Sequence, residues 1–149
     1  MGNGIDFEVF NEDFAKRVVG RTGEKGIDAY LGIEVTELTA GRLVARFEVR
    51  DALITMMGNM HGGCLSALVD HCLGVVMYPV MPEGYWAATT EFKINLLSPV
   101  SGGTCVCTAE IRSMTRRLAV VSIAVENEGR LVALAQGTST IVAPKSAAS

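Results

Sequence analysis

One stretch constrains the fold of this chain more than any other. Residues 61–78 form the only run with both the length and the composition of a long helix. Leu65, Leu68, Val69, Cys72, Val75 and Val76 spread a broad apolar face along it, and Pro79 with the turn Pro82-Glu83-Gly84 closes it. Beyond that point the period drops to two. Residues 86–97 alternate, with Phe92, Ile94 and Leu96 on one side and Glu91, Lys93 and Asn95 on the other. Residues 105–112, 118–126 and 131–142 read as three further strands, separated by Gly102-Gly103, Arg116-Arg117 and Glu128-Gly129. The last two connections are hairpin-short, so those neighbours are expected to be antiparallel. Upstream, residues 33–38 and 43–49 predict two strands around an Ala40-Gly41 turn, and residues 24–30 a short helical stretch. Between residues 6 and 19, Phe7, Phe10, Phe14 and Val18 recur at spacings of three and four, as on one helical face. This order predicts an α+β architecture, one central helix wrapped by a curved antiparallel sheet. The expected boundaries are a helical arm over 1–31, a folded domain over 32–143 and a flexible tail over 144–149.

Composition narrows the function. Apolar types make up 49% of the 149 residues and charged types 19%, with a mean hydropathy of +0.32. Disorder needs the reverse balance, and this much apolar surface points to burial against another subunit. A formal charge of −3 and a pI near 5.4 exclude a strongly basic nucleic-acid domain. No basic and apolar export signal opens the chain, and Asp6 stands where a myristoylation signal takes Ser or Thr. The longest uncharged stretch, residues 52–69, carries Asn59, His61 and three glycines, a poor membrane span. The expectation is a soluble, cytoplasmic protein with no membrane partner. The four cysteines lack a CxxC spacing, and two histidines are too few to complete zinc sites, so the thiols are expected as small buried residues in a reducing compartment, with no metal.

Met60-His61-Gly62-Gly63 opening the helix, Leu68-Val69-Asp70 inside it, Leu97-Ser98-Pro99 closing the next strand and the Arg116-Arg117 hairpin together resemble the hot-dog fold acyl-CoA thioesterases. The PaaI type and the 4-hydroxybenzoyl-CoA thioesterases are the look-alikes, over roughly residues 32–142. The resemblance implies hydrolysis of an acyl-CoA to a free acid and coenzyme A, with no cofactor, since coenzyme A is part of the substrate. It also implies a homodimer, further paired into a dimer of dimers.

Thioester hydrolysis requires a donor for the developing oxyanion and a group that delivers the attacking oxygen. Gly62 and Gly63 at a helix start offer backbone N–H groups without intrahelical partners, backed by the helix dipole. The resemblance assigns the donor to Gly62. It assigns the carboxylate to Asp70, as general base or as nucleophile. On a helix Asp70 shares a stripe with Gly63, Ser66, Ala67, Gly74 and Met77, small enough in part to leave room for a ligand or a second helix. Gly62 and Asp70 are eight residues apart, or ~12 Å along one helix axis. One thioester carbon needs both groups within about 3.5 Å of the reacting atoms. Two antiparallel helices across a two-fold axis supply that, Gly62 of one chain meeting Asp70 of the other.

The remaining candidates are subsidiary. His61 either orients the substrate carbonyl or caps the helix. His71 reads as structural, because adjacent helical residues do not face each other. Matching through Ser98-Pro99 places Thr89 where some relatives carry a catalytic Ser, whereas strict alternation puts Thr89 with Glu91 and Thr90 with Phe92. Thr89 is the preferred water-positioning residue, and Thr90 a substrate contact. Thr55 falls where those relatives carry an Asn, and Gly74 where some carry a Thr. Gly63, Asn59, Ser66 and Thr55 are further substrate contacts, and Arg116 and Arg117 are expected at the coenzyme A phosphates. Met56, Met57, Met60, Met77 and Met81 are candidates for an acyl channel or for plain core. Two other classes stay open: a hot-dog hydratase or dehydratase, which His61 is badly placed to serve, and a non-catalytic acyl-CoA sensor. A DNA-binding sensor is disfavoured, since the arm over 2–23 reads as a single, fairly acidic helix.

Overall fold

The computed structural model describes residues 5–145. The N-terminal reading (residues 1–4) and the tail beyond residue 145 lie outside the described residues. The elements in chain order are α1 (Glu12–Val18), α2 (Ile27–Leu31), β1 (Glu34–Thr39), β2 (Arg42–Glu48), a 3₁₀ turn (Asp51–Leu53) and α3 (Gly62–Val75). A second 3₁₀ turn (Tyr78–Val80), β3 (Trp86–Leu96), β4 (Thr104–Met114), β5 (Leu118–Asn127) and β6 (Arg130–Val142) complete them. The architecture is the expected one: a six-stranded, wholly antiparallel sheet in the order β1-β2-β4-β5-β6-β3, with α3 against its inner face. The chain leaves the sheet after β2, crosses with α3 and returns at the opposite edge as β3.

The period-two pattern explains the wrap. Alternate residues of β2, β4, β5 and β6 are buried on the inner face, where Leu68, Val69, Cys72 and Leu73 of α3, with Val76 just past its end, meet them fully buried. Each such aliphatic side chain contributes about 1.5–3 kcal/mol over exposure. Cys105 and Cys107 lie on this face with Ala109 and Ile111. The Cys107 thiol and burial hold Cys72 well above the ordinary thiol pKa. Burial, reinforced by the Glu128 and Glu48 carboxylates, pushes Cys105 up to about 11. All four cysteines are free, and only Cys64 is partly exposed, so the buried thiols are protonated and inert. The segment Gly62–Val80 is long and apolar enough to cross a membrane by composition, but half of it is buried inside the molecule. It is the core helix of the domain.

Gly137 shows how closely helix and sheet approach. A Cβ there would sit 2.2 Å from Leu73 Cδ1, 2.7 Å from Phe92 Cβ and 2.9 Å from the Glu91 carbonyl oxygen. Gly137→Ala is therefore expected to destabilise the fold by about 1–3 kcal/mol through overpacking, read as a lower denaturant midpoint at unchanged slope.

Four expectations need correction. The arm is not one helix: α1 begins only at Glu12, because Asn11 takes an extended conformation and its side chain accepts the Phe14 N–H at 2.9 Å, a cap that stops the helix there. Phe7 instead packs over the Gly41 turn, while Phe14 stacks on Tyr78 at 5.7 Å. The second stretch shortens to α2 between Gly26 (φ +91°) and Gly32 (φ +71°). The central helix ends at Val75, three residues short, since Pro79 cannot donate and tightens the chain into the second 3₁₀ turn. The fourth correction reverses a strand face. In β3, Thr89 pairs with Ser139 but Glu91 pairs with Thr138, so Thr90 is the extra residue of a β-bulge. The bulge shifts the alternation by one. Thr89 thus lies on the inner face with Phe92, and Thr90 lies outside, its hydroxyl bonded to that of Thr140.

Candidate active site

The start of α3 is pinned by backbone bonds. Met60 N–H donates to the Val100 carbonyl at 2.6 Å and His61 N–H to that of Leu53 at 3.0 Å. His61 is itself extended, and its Nδ1 accepts the Gly63 N–H at 2.8 Å while its carbonyl accepts the Cys64 N–H at 2.9 Å. Of the two readings for His61, the structure supports the cap, and Gly63 thereby loses its donor. The Gly62 N–H keeps its own, with no acceptor among the described residues. A Cβ on Gly62 would lie 2.5 Å from Leu96 Cδ1. Leu96 was not singled out from the sequence, and neither was the groove it forms. That groove, about 280 Å³, is lined by Asn59, Gly62, Leu65, Leu96, Leu97 and Pro99 among others. The Leu97-Ser98-Pro99 turn was the available signal.

Asp70 lies two turns further along, exposed, its side chain without a hydrogen bond or ion pair to described residues. Gly63, Ser66, Ala67 and Gly74 flank it on the side of α3 that the sheet leaves uncovered. Met77 does not belong to this stripe; it is fully buried, because the chain departs from helical geometry after Val75. Ser66 turns its hydroxyl back to the Gly62 carbonyl at 3.2 Å.

The sheet separates the candidates into two ends. Leu96 touches Gly62, and Phe92 shares the Gly137 contact with Leu73. Thr89 lies beyond Phe92, roughly 20 Å along the strand from Leu96. Thr89 and Asp70 thus occupy the half of the domain away from Gly62. The Arg116-Arg117 tip belongs to that same end, because Leu118 pairs with Thr140 and Thr140 with Ala88. Both arginines are exposed and unpaired among the described residues, and Arg116 borders a cavity of about 390 Å³ under residues 5–9.

Thr55 and Asn59 close a tight turn: Thr55 N–H donates to the Asn59 carbonyl, and Thr55 Oγ1 accepts the Met57 N–H. Met56 and Met57 stand on its tip, 99% and 82% exposed, while Met60, Met77 and Met81 are core. His71 turns toward the arm, in a cavity of about 410 Å³ lined by Phe14, Val18, Ile33, Val75 and Tyr78 among others. Burial lowers its pKa, against the opposing charges of Asp28 and Asp70, so the imidazole is neutral at pH 7. Among the described residues no three His, Cys, Asp or Glu side chains gather as a metal site.

The comparisons bear on the family and the fold. Residues 57–134 match the family described as the thioesterase superfamily, spanning half of the chain from the turn before α3 into β6. A Saccharolobus solfataricus protein assigned as an esterase is 31% identical over 110 residues, 73% of each chain. Among solved structures, a thioesterase from Haemophilus influenzae aligns with a TM-score of 0.78 at 20% identity, over 92% of this chain and 94% of that one. The E. coli PaaI protein from the phenylacetic acid degradation operon aligns at 0.75 and 24% identity, over 81% and 87%. The chain belongs to the thioesterase superfamily and is a hot-dog fold thioester hydrolase.

Proposed function

We propose that the protein hydrolyses acyl-CoA thioesters at a site completed only by two protomers. The observation that carries this reading is the free Gly62 N–H at the start of α3, with Asp70 exposed ~12 Å along the same helix. Neither group reaches the other's substrate atom within one chain. In an antiparallel pair, Gly62 of one protomer donates to the thioester oxygen, and Asp70 with Thr89 of its partner supplies the attacking oxygen. Asp70 deprotonates a water or attacks with its own carboxylate; both routes end with a water that must be positioned. Uptake of water then yields the free acid and the thiol of coenzyme A.

Two features support the pairing. The uncovered side of α3 carries small residues around Asp70, which lets a second helix approach. The eleven-residue strand β3 is an open sheet edge whose Trp86 and Leu96 are about half exposed, and such edges are usually covered. Arg116 and Arg117, at the Asp70 end, are suited to the coenzyme A phosphates, and the apolar cavity beside His71 leaves room for an acyl group. The protein acts without metal or added cofactor. The direct test is free-thiol release from acetyl-, hexanoyl-, palmitoyl- and benzoyl-CoA by purified protein, with its mass in solution measured alongside. Release on at least one of them from a dimer or larger assembly is expected. Binding without release on all four would overturn the acyl-CoA substrate.

A further inference from the structure

The one buried side-chain oxygen without a hydrogen-bond partner among the described residues is Ser139 Oγ. Ser139 is fully buried on the inner face of β6, between Gly137 and Ile141, in the apolar space against α3. A hydroxyl stripped of water and left unpaired costs about 1–3 kcal/mol. Such a group calls for an explanation beyond packing, since alanine would fill the same strand position without that cost.

The register supplies the explanation. Ser139 is the direct cross-strand partner of Thr89, and directly opposed residues of an antiparallel pair project to the same face. Their Cβ atoms are then about 4.5–5.5 Å apart, which brings the two hydroxyls within bonding reach by χ1 rotation alone. The bulge at Thr90 is what keeps Thr89 on this face. We infer that Ser139 is a positioning residue whose buried oxygen accepts the Thr89 hydroxyl proton and so sets the orientation of Thr89 toward the attacking water. A hydroxyl offers one proton and two lone pairs. With its proton turned inward to Ser139, Thr89 faces the site as an acceptor only. It then takes one proton of the water in a hydrogen bond while Asp70 takes the other, and the water's lone pair is left aimed at the thioester carbon. No bond to Thr89 or Ser139 is made or broken in the reaction. The inference rests on the proposed role of Thr89, and a purely structural Ser139 predicts the opposite behaviour.

The test is a double-mutant cycle on thiol release, with whichever of the four acyl-CoAs the wild type cleaves. Ser139→Ala is expected to raise the melting temperature while lowering kcat about five- to tenfold at nearly unchanged KM. Thr89→Ala is expected to lower kcat at least as much, and Ser139→Ala to add nothing in that background. Ser139→Thr, which retains the hydroxyl, is expected to recover most of the kcat lost in Ser139→Ala. Full activity in Ser139→Ala, additive losses in the double variant, or no recovery in Ser139→Thr would each overturn the inference while leaving the thioesterase reading intact. Full activity in Thr89→Ala removes the role of Thr89 itself, and this inference with it.

Discussion

Asp70→Asn is expected to lower kcat for acyl-CoA hydrolysis by roughly 10²–10⁴-fold while leaving the fold as stable as before. The amide has the shape of the carboxylate but neither accepts a proton from water nor attacks a thioester. Stability should change by no more than about 0.5 kcal/mol, because the side chain is exposed and holds nothing in place. Thiol-release kinetics and a melting curve on the same preparation check both halves. A variant with undiminished kcat would remove Asp70 from the chemistry.

The second large effect comes from deleting one backbone hydrogen. Gly62 is the first residue of α3, a position that tolerates proline because its N–H lies outside the helical ladder. His61 before it is already extended, at φ −62° and ψ 130°, as a residue preceding proline prefers. An added Cβ meets only the half-exposed Leu96 side chain, whose Cδ1 tip can swing away. Gly62→Pro should therefore keep the helix and remove the oxyanion donor, costing about 10²–10³-fold in kcat. Mixing the two inactive chains then separates a shared site from a private one. Random exchange makes half of the dimers mixed, and each mixed dimer pairs one intact Gly62 with one intact Asp70. Activity should return to about a quarter of the wild-type value per chain. A mixture as inactive as its parents would show that both groups act within one protomer.

The hydrophobic pattern carried most of the fold. The long apolar helix and the period-two runs after it placed α3 and all four later strands to within a few residues. Both signals are local, since each follows from which side of an element must leave water. The arm was legible only in part. The spacing of Phe7 and Phe10 mimics a helical face, but the Asn11 cap and the docking of Phe7 on the Gly41 turn override it. Thr89 and Thr90 show the same limit more sharply. Alternation alone put them on the wrong faces, because a bulge costs one residue of register and leaves no mark in composition.

The sequence by itself determined that one helix would be sheltered by an antiparallel sheet, and that a glycine pair and a carboxylate would share that helix ~12 Å apart. Those are consequences of chain order and of a fixed rise per residue. Only the tertiary structure decided which donor stays free, since His61 Nδ1 takes the Gly63 N–H and leaves that of Gly62. It alone brought Leu96 over Gly62, and Ser139 opposite Thr89. The first is a local contact that depends on how the His61 side chain is turned, and the other two join elements far apart in the chain, set by register and by a single bulge.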